Sequence, residues 1–197
     1  VHGTLVVTVE SIAVIGAHVV GRQFARAAAL ARYAVVFEDV SREMLDRGIS
    51  WISASLEESV GRGEMSAPER IAALARIVPA NTVEPAIRDV DLIIEAVPEE
   101  LEMKLELFTI FDKFAKPGAI FVSTTKTMSV LDLSDVTVCR ERCMGMRFVD
   151  AALNSEGIEI VRTRLTSEDS LRACREVAER LATRVIVVSE AAFPPHL

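Results

Sequence analysis

The chain has 197 residues, half of them hydrophobic, with 22 basic and 29 acidic side chains and a formal charge of -7. This composition excludes a disordered chain, and an acidic balance without a basic stripe argues against a nucleic-acid partner. No apolar run approaches the ~20 residues that span a bilayer, so no membrane partner is expected. Three cysteines (Cys139, Cys143, Cys174), odd in number and in no zinc-ligand spacing, point to free thiols in a cytoplasmic setting.

Residues 1–9 read as a leader or tag-like segment, residues 10–190 as one α/β domain, and residues 191–197 as a short tail. The stretch Ser11 to Gly21 (SIAVIGAHVVG) organises the rest. Ile12 to Ile15 is a continuous apolar run closed by a glycine, as suits a strand buried on both faces. An alanine- and arginine-rich helix follows from Val19. Tyr33 to Glu38 reads as a second strand, closed by Asp39. A long helix from Ser41 carries Leu45, Ile49, Ile52, Leu56 and Val60 on one face and stops at Gly61 and Gly63. Ser66 and Glu69 form a capping box with Pro68 in the first turn. Ile77 to Ala80 reads as an edge strand, because Pro79 lacks an N–H. Asp91 to Val97 is a buried strand, Glu99 to Ala115 a helix, and Ala119 to Ser123 a strand entered through Pro117 and Gly118. Cys143 to Phe148 and Gly157 to Arg162 read as strands. Thr166 and Asp169 are expected to cap a helix bearing Leu171, Cys174, Ala178 and Leu181, and Val185 to Val188 closes the series. Strands alternating with helices imply a Rossmann-like, doubly wound, mostly parallel sheet covered on both faces.

Strand, glycine turn and helix are the context in which G-x-G-x-x-G marks a dinucleotide cradle. Gly16 and Gly21 supply the first and third glycines, and His18 stands at the middle position. A side chain there is expected to crowd the pyrophosphate and weaken binding, although the helix N-terminus still offers free N–H groups. Asp39, 23 positions after Gly16, suits the acid that binds the ribose hydroxyls and favours NAD over NADP. It also suits a plain turn residue.

The pattern resembles the NAD-binding domain of L-3-hydroxyacyl-CoA dehydrogenases. The blocks that carry the likeness are VVFEDVS, DLIIEAVPEELEMKLELF from Asp91 to Phe108, PGAIFVSTT from Pro117 to Thr125, and GIEIVRT. The resemblance covers residues 10 to 190. It implies a Rossmann-like domain followed in the family by a helical, dimerising second domain, and oxidation of a 3-hydroxyacyl-CoA in fatty acid metabolism with hydride passed to NAD. It places Gly16 and Gly21 in the diphosphate turn, Asp39 at the ribose, and Ala96, Glu99, Lys104 and Thr124 on the cofactor. It places Ser55 and Arg62 on the CoA portion of an acyl-CoA, and Glu159 where an acid orients the catalytic histidine. Glu99 with Glu100 also reads as a first-turn acid pair, Lys104 as a solvated lysine, Ser55 and Arg62 as surface residues. Alternation along the strand turns Glu159 either to solvent or to the site.

The departures fall on the chemistry. The family's S-N-T-S-S-L is Ser123 to Met128 here, so Thr124 replaces an asparagine and Lys126 the substrate-binding serine. Its H-F-F-N-P is Arg147 to Ala151, so Arg147 replaces the catalytic histidine and Asp150 its asparagine. A general base must release its proton near neutral pH, and arginine does not. Arg147 is therefore expected to pair with Glu159. Three readings remain: a dehydrogenase domain of weak or absent activity, a dinucleotide- or acyl-CoA-binding module without turnover, and a diverged or redesigned scaffold. A variant of the first has Arg147 and Lys126 polarising a ketone for reduction. No counterpart of the family's second domain is recognised, which suggests a monomer or weak homodimer.

Overall fold

In a computed structural model, residues 8–149 and 157–190 are described. The expected tail and most of the expected leader lie outside these residues. Val9, however, is buried in the main core, so the domain begins earlier than residue 10.

Among these residues eight strands form one sheet in the order β3-β2-β1-β4-β5-β6-β7-β8. They are β1 (Ser11–Ile15), β2 (Ala34–Glu38), β3 (Ile77–Ala80), β4 (Leu92–Glu95), β5 (Ile120–Ser123), β6 (Cys143–Val149), β7 (Gly157–Arg162) and β8 (Arg184–Ser189). β1 to β6 run parallel. β7 turns back against β6, and β8 runs parallel to β7. The reversal departs from a simple alternation of strand and helix, and its cause is chain length. Seven residues separate β6 from β7, whereas a parallel crossover needs roughly a dozen or more.

Among the described residues seven α-helices pack on the two faces: α1 (Val19–Leu30), α2 (Arg42–Gly61), α3 (Ala67–Leu74), α4 (Val83–Ile87), α5 (Leu101–Phe114), α6 (Val130–Ser134) and α7 (Glu168–Leu181). One core cluster lies between the sheet and α1, α2 and α7, and includes Phe24, Leu45, Ile52, Ile158 and Cys174. The other lies beneath α4 and α5, with Ile15, Ile87, Phe108, Phe111 and Phe121. Alternate residues of the central strands serve opposite clusters: Ile12 and Val14 one, Ala13 and Ile15 the other.

The caps are local. Ser41 accepts from the Met44 N–H, and Ser66 and Glu69 complete the reciprocal capping box that opens α3. The cap of α7 is Ser167, whose hydroxyl accepts from the Ser170 N–H, and not Thr166. The Thr166 hydroxyl is engaged elsewhere: it accepts from the Thr163 N–H and donates to the Cys143 carbonyl. Thr166 thereby ties the connection ahead of α7 to β6. Pro79 lies on the edge strand as expected.

Candidate functional site

The strand order reverses between β1 and β4, and ligands of open α/β sheets sit outside the carboxyl ends of the strands at such a point. Here the chain leaves β1 through Gly16, whose φ of +102° is a left-handed conformation that glycine adopts without steric cost. A Cβ on Gly16 would lie 2.8 Å from the Ala96 carbonyl oxygen, at the end of β4. A Cβ on Gly21 would stand 1.8 Å from the Gly16 carbonyl oxygen. Both glycines are therefore required by close approach, and together with Ala96 they press turn, helix and neighbouring strand into one compact cradle. The first N–H groups of α1 have no intrahelical acceptor, so they are available to an anion above the turn.

His18 is the N-cap residue of α1. Its backbone is extended, its side chain makes no capping bond, and it is exposed. Nothing in the backbone demands glycine there.

Asp39 is nearly buried, and its carboxylate braces the cradle. One oxygen accepts from the Ala17 N–H and the other from the Ser41 N–H, each at 2.8 Å. Each oxygen keeps a second lone pair for a ribose hydroxyl. Beside it Glu38, 1% exposed, was not anticipated as a site residue. Its Oε1 is buried without a hydrogen-bond partner among the described residues. Burial, reinforced by the neighbouring Asp39 charge, pushes its carboxyl up to about 7.

At the end of β4 lies a fully buried ion pair. The Lys104 ammonium donates to Glu95 at 2.7 Å and to the Val97 carbonyl at 3.2 Å. Glu95 also accepts from the Val97 N–H and the Ser123 hydroxyl. Burial pushes the Glu95 carboxyl above its ordinary range, against the pull of Lys104 and Ser123. Lys104 is thus neither solvated nor presented to the surface. It neutralises Glu95 beneath the cradle, and the DLIIE strand alone gave no sign that its acid is internal.

Glu99 holds the loop after β5. Its carboxylate accepts from the Thr125 hydroxyl and the Lys126 N–H, both at 2.8 Å. Thr125 in turn accepts from the Thr127 and Met128 N–H groups. This network places Thr124 and Lys126 on the rim of a cavity of about 750 Å³.

The same cavity is lined by Ser55, Arg62 and Arg147, so the expected substrate-side residues converge. Arg62 arrives already engaged: Glu64 accepts two hydrogen bonds from its guanidinium, at 2.6 and 2.9 Å. Arg147 and Glu159 face one another directly across β6 and β7, and Nε donates to the carboxylate at 2.5 Å. Ile158 and Ile160 are buried in the core, so alternation turns Glu159 to the opposite face, as expected. Phe148, next to Arg147, stacks on Phe24 with ring centroids 4.3 Å apart and anchors this end of β6 to α1. Asp150 lies outside the described residues.

Sheet order, glycine turn and braced acid define an α/β dinucleotide-binding domain of the Rossmann type. Residues 11–191 match the family described as 3-hydroxyacyl-CoA dehydrogenase, NAD binding domain. The chain belongs to that family, and the dinucleotide that goes with its cradle is NAD. It is 31% identical over 189 residues to a 3-hydroxybutyryl-CoA dehydrogenase of Bradyrhizobium diazoefficiens, covering 96% of this chain and 64% of that one. It is 28% identical over 180 residues to a glyoxysomal fatty acid beta-oxidation multifunctional protein of Brassica napus, covering 91% and 25%. Among solved structures it resembles 3-hydroxybutyryl-CoA dehydrogenase from Escherichia coli, with a TM-score of 0.88 and 27% identity over 93% of this chain and 39% of that chain. The chain thus spans less than two thirds of the length of these relatives. Among the described residues no helix is long and apolar enough to cross a membrane.

Proposed function

We propose that this chain binds NAD and an acyl-CoA-type ligand of fatty acid metabolism but does not oxidise a 3-hydroxyacyl-CoA at an ordinary dehydrogenase rate. The observation that carries this reading is the Arg147–Glu159 pair. A guanidinium stays protonated at all working pH values, so it takes no proton from a hydroxyl, and Glu159 is spent on it. NAD, when bound, supplies the hydride acceptor. The chain's own part is to hold the diphosphate over Gly16 and the first turn of α1 and the ribose at Asp39. The Glu99-anchored loop positions Thr124 and Lys126 near the reacting end. His18 stands in the approach to the diphosphate and weakens, without abolishing, its binding. The free, buried cysteines fit a reducing, cytoplasmic compartment, and we take the chain to act as a monomer or weak dimer.

The test is NADH oxidation with acetoacetyl-CoA. Loss of a general base removes roughly 10²–10⁴ in rate, so turnover is expected to fall below an ordinary dehydrogenase by at least that factor. A rate in the ordinary range overturns the reading.

A further inference from the structure

Among the described residues, the cavity beside Arg147 is lined by five cationic side chains, Arg26, Arg62, Lys126, Arg147 and Arg180, and by no carboxylate. This holds in a chain whose formal charge is -7. The five are not equivalent. Arg62 is held by Glu64. Arg180 stacks on the Tyr33 ring at 4.0 Å and donates to the Ala31 carbonyl. Arg26 donates to the Ser59 hydroxyl. Lys126 and Arg147 are different, and both line this cavity, Lys126 from the loop after β5 and Arg147 from β6.

Glu99 fixes the Lys126 backbone through its N–H, yet among the described residues the Lys126 ammonium has no carboxylate within ion-pair reach. Arg147 gives its Nε to Glu159. Among the described residues its two terminal nitrogens make no hydrogen bond beside that Nε contact. Among the described residues the Arg147–Glu159 pair sums to zero, so Lys126 leaves one excess positive charge in the cavity, which it shares with a guanidinium, a group suited to a carboxylate. A neutral acyl terminus would lie against these cations without compensating them. A carboxylate satisfies both.

From this juxtaposition we infer that the chain prefers a short acyl-CoA whose acyl group ends in a carboxylate, received between Lys126 and Arg147. The inference rests on the proposed acyl-CoA reading and sharpens it. The volume of the cavity lies within the range of small-molecule sites. Its lining also includes Val20, Trp51, Phe148 and Leu181, which offer hydrocarbon contact. The CoA portion keeps Ser55 and Arg62, at the α2 side of the same cavity.

Succinyl-CoA and butyryl-CoA differ at the acyl terminus by a carboxylate in place of a methyl group, and they are the probes. Titration calorimetry of the whole chain is expected to show succinyl-CoA bound about tenfold or more tighter, as follows from a charge-assisted hydrogen bond. Lys126→Ser, at an exposed position, is expected to reduce the ratio of the two affinities by at least about fivefold. The ratio is read within one protein sample and so is insensitive to a small loss of folded material. Succinate alone is expected to bind at least about a hundredfold more weakly than succinyl-CoA, because the CoA contacts are lost. Binding of both thioesters with equal affinity, or an unchanged ratio in Lys126→Ser, overturns the inference and leaves the proposed function standing. Free succinate binding as tightly as its thioester overturns the assignment to an acyl-CoA. Failure of both thioesters to bind overturns the inference and the acyl-CoA reading together.

Discussion

Two ion pairs stand near the carboxyl edge of the same sheet, and they do different work. Glu95 and Lys104 are completely buried, and the carboxylate is met by an ammonium, a hydroxyl and a backbone N–H. Arg147 and Glu159 lie on the antiparallel neighbours β6 and β7, with side chains 31% and 21% exposed, and make one short contact. The first pair is internal scaffolding that ties α5 and β5 beneath the cradle. The second occupies the place where the family resemblance puts a proton-transfer dyad. Burial makes the partner of a charge indispensable, whereas partial exposure lets a charge be exchanged at small energetic cost. Under the proposed function, that contrast lets the residues at the reacting end differ while the cradle keeps its shape.

The largest expected effect comes from breaking the buried pair. Lys104→Met leaves Glu95 unneutralised and should destabilise the domain by about 3–5 kcal/mol, measured by denaturant unfolding. A loss below about 1 kcal/mol would show that the pair is not the support described here.

A smaller effect is expected at Glu38, an acid that burial leaves without any cation. Its native carboxyl is raised to about 7, so the folded protein holds this proton more tightly than the unfolded chain. The stability is therefore fully present on the acid side. It falls as pH rises from the ordinary carboxylate range to about 7 and levels off above. Glu38→Gln removes this slope, and its stability relative to the parent should improve by up to about 3 kcal/mol between pH 5 and pH 8. Parallel stability curves for parent and variant would contradict the assignment.

The smallest effect belongs to the exposed pair. A double-mutant cycle of Arg147→Ala and Glu159→Gln should give a coupling energy of about 1 kcal/mol or less, decreasing with added salt. A coupling comparable with the cost of Lys104→Met would erase the distinction between the two pairs.

Much of the frame was legible in the sequence because it is written in local signals. Apolar runs mark the buried strands, Ser66 and Glu69 mark a helix start, and Pro79 marks an edge. The two short helices α4 and α6 were not read, because five residues are too few to show a 3.6 period. The antiparallel turn-back was not read either, although two neighbouring strands without a helix between them already required it. At the site, the family resemblance grouped Ser55, Arg62, Lys126 and Arg147, which line one cavity, and set Glu159 beside Arg147, where it stands. Glu95, Glu38 and the engagement of Arg62 by Glu64 escaped it. Whether an acid at a strand end faces solvent, a lysine nine positions on, or nothing at all depends on packing between elements distant in the chain.

The central claim is that a working dinucleotide cradle persists while the base has been replaced. NADH fluorescence titration of the chain and of His18→Gly tests the first half of it most directly. The account predicts saturable binding to both, tighter in His18→Gly, where no side chain occupies the middle position of the glycine turn. Binding by neither protein would contradict it.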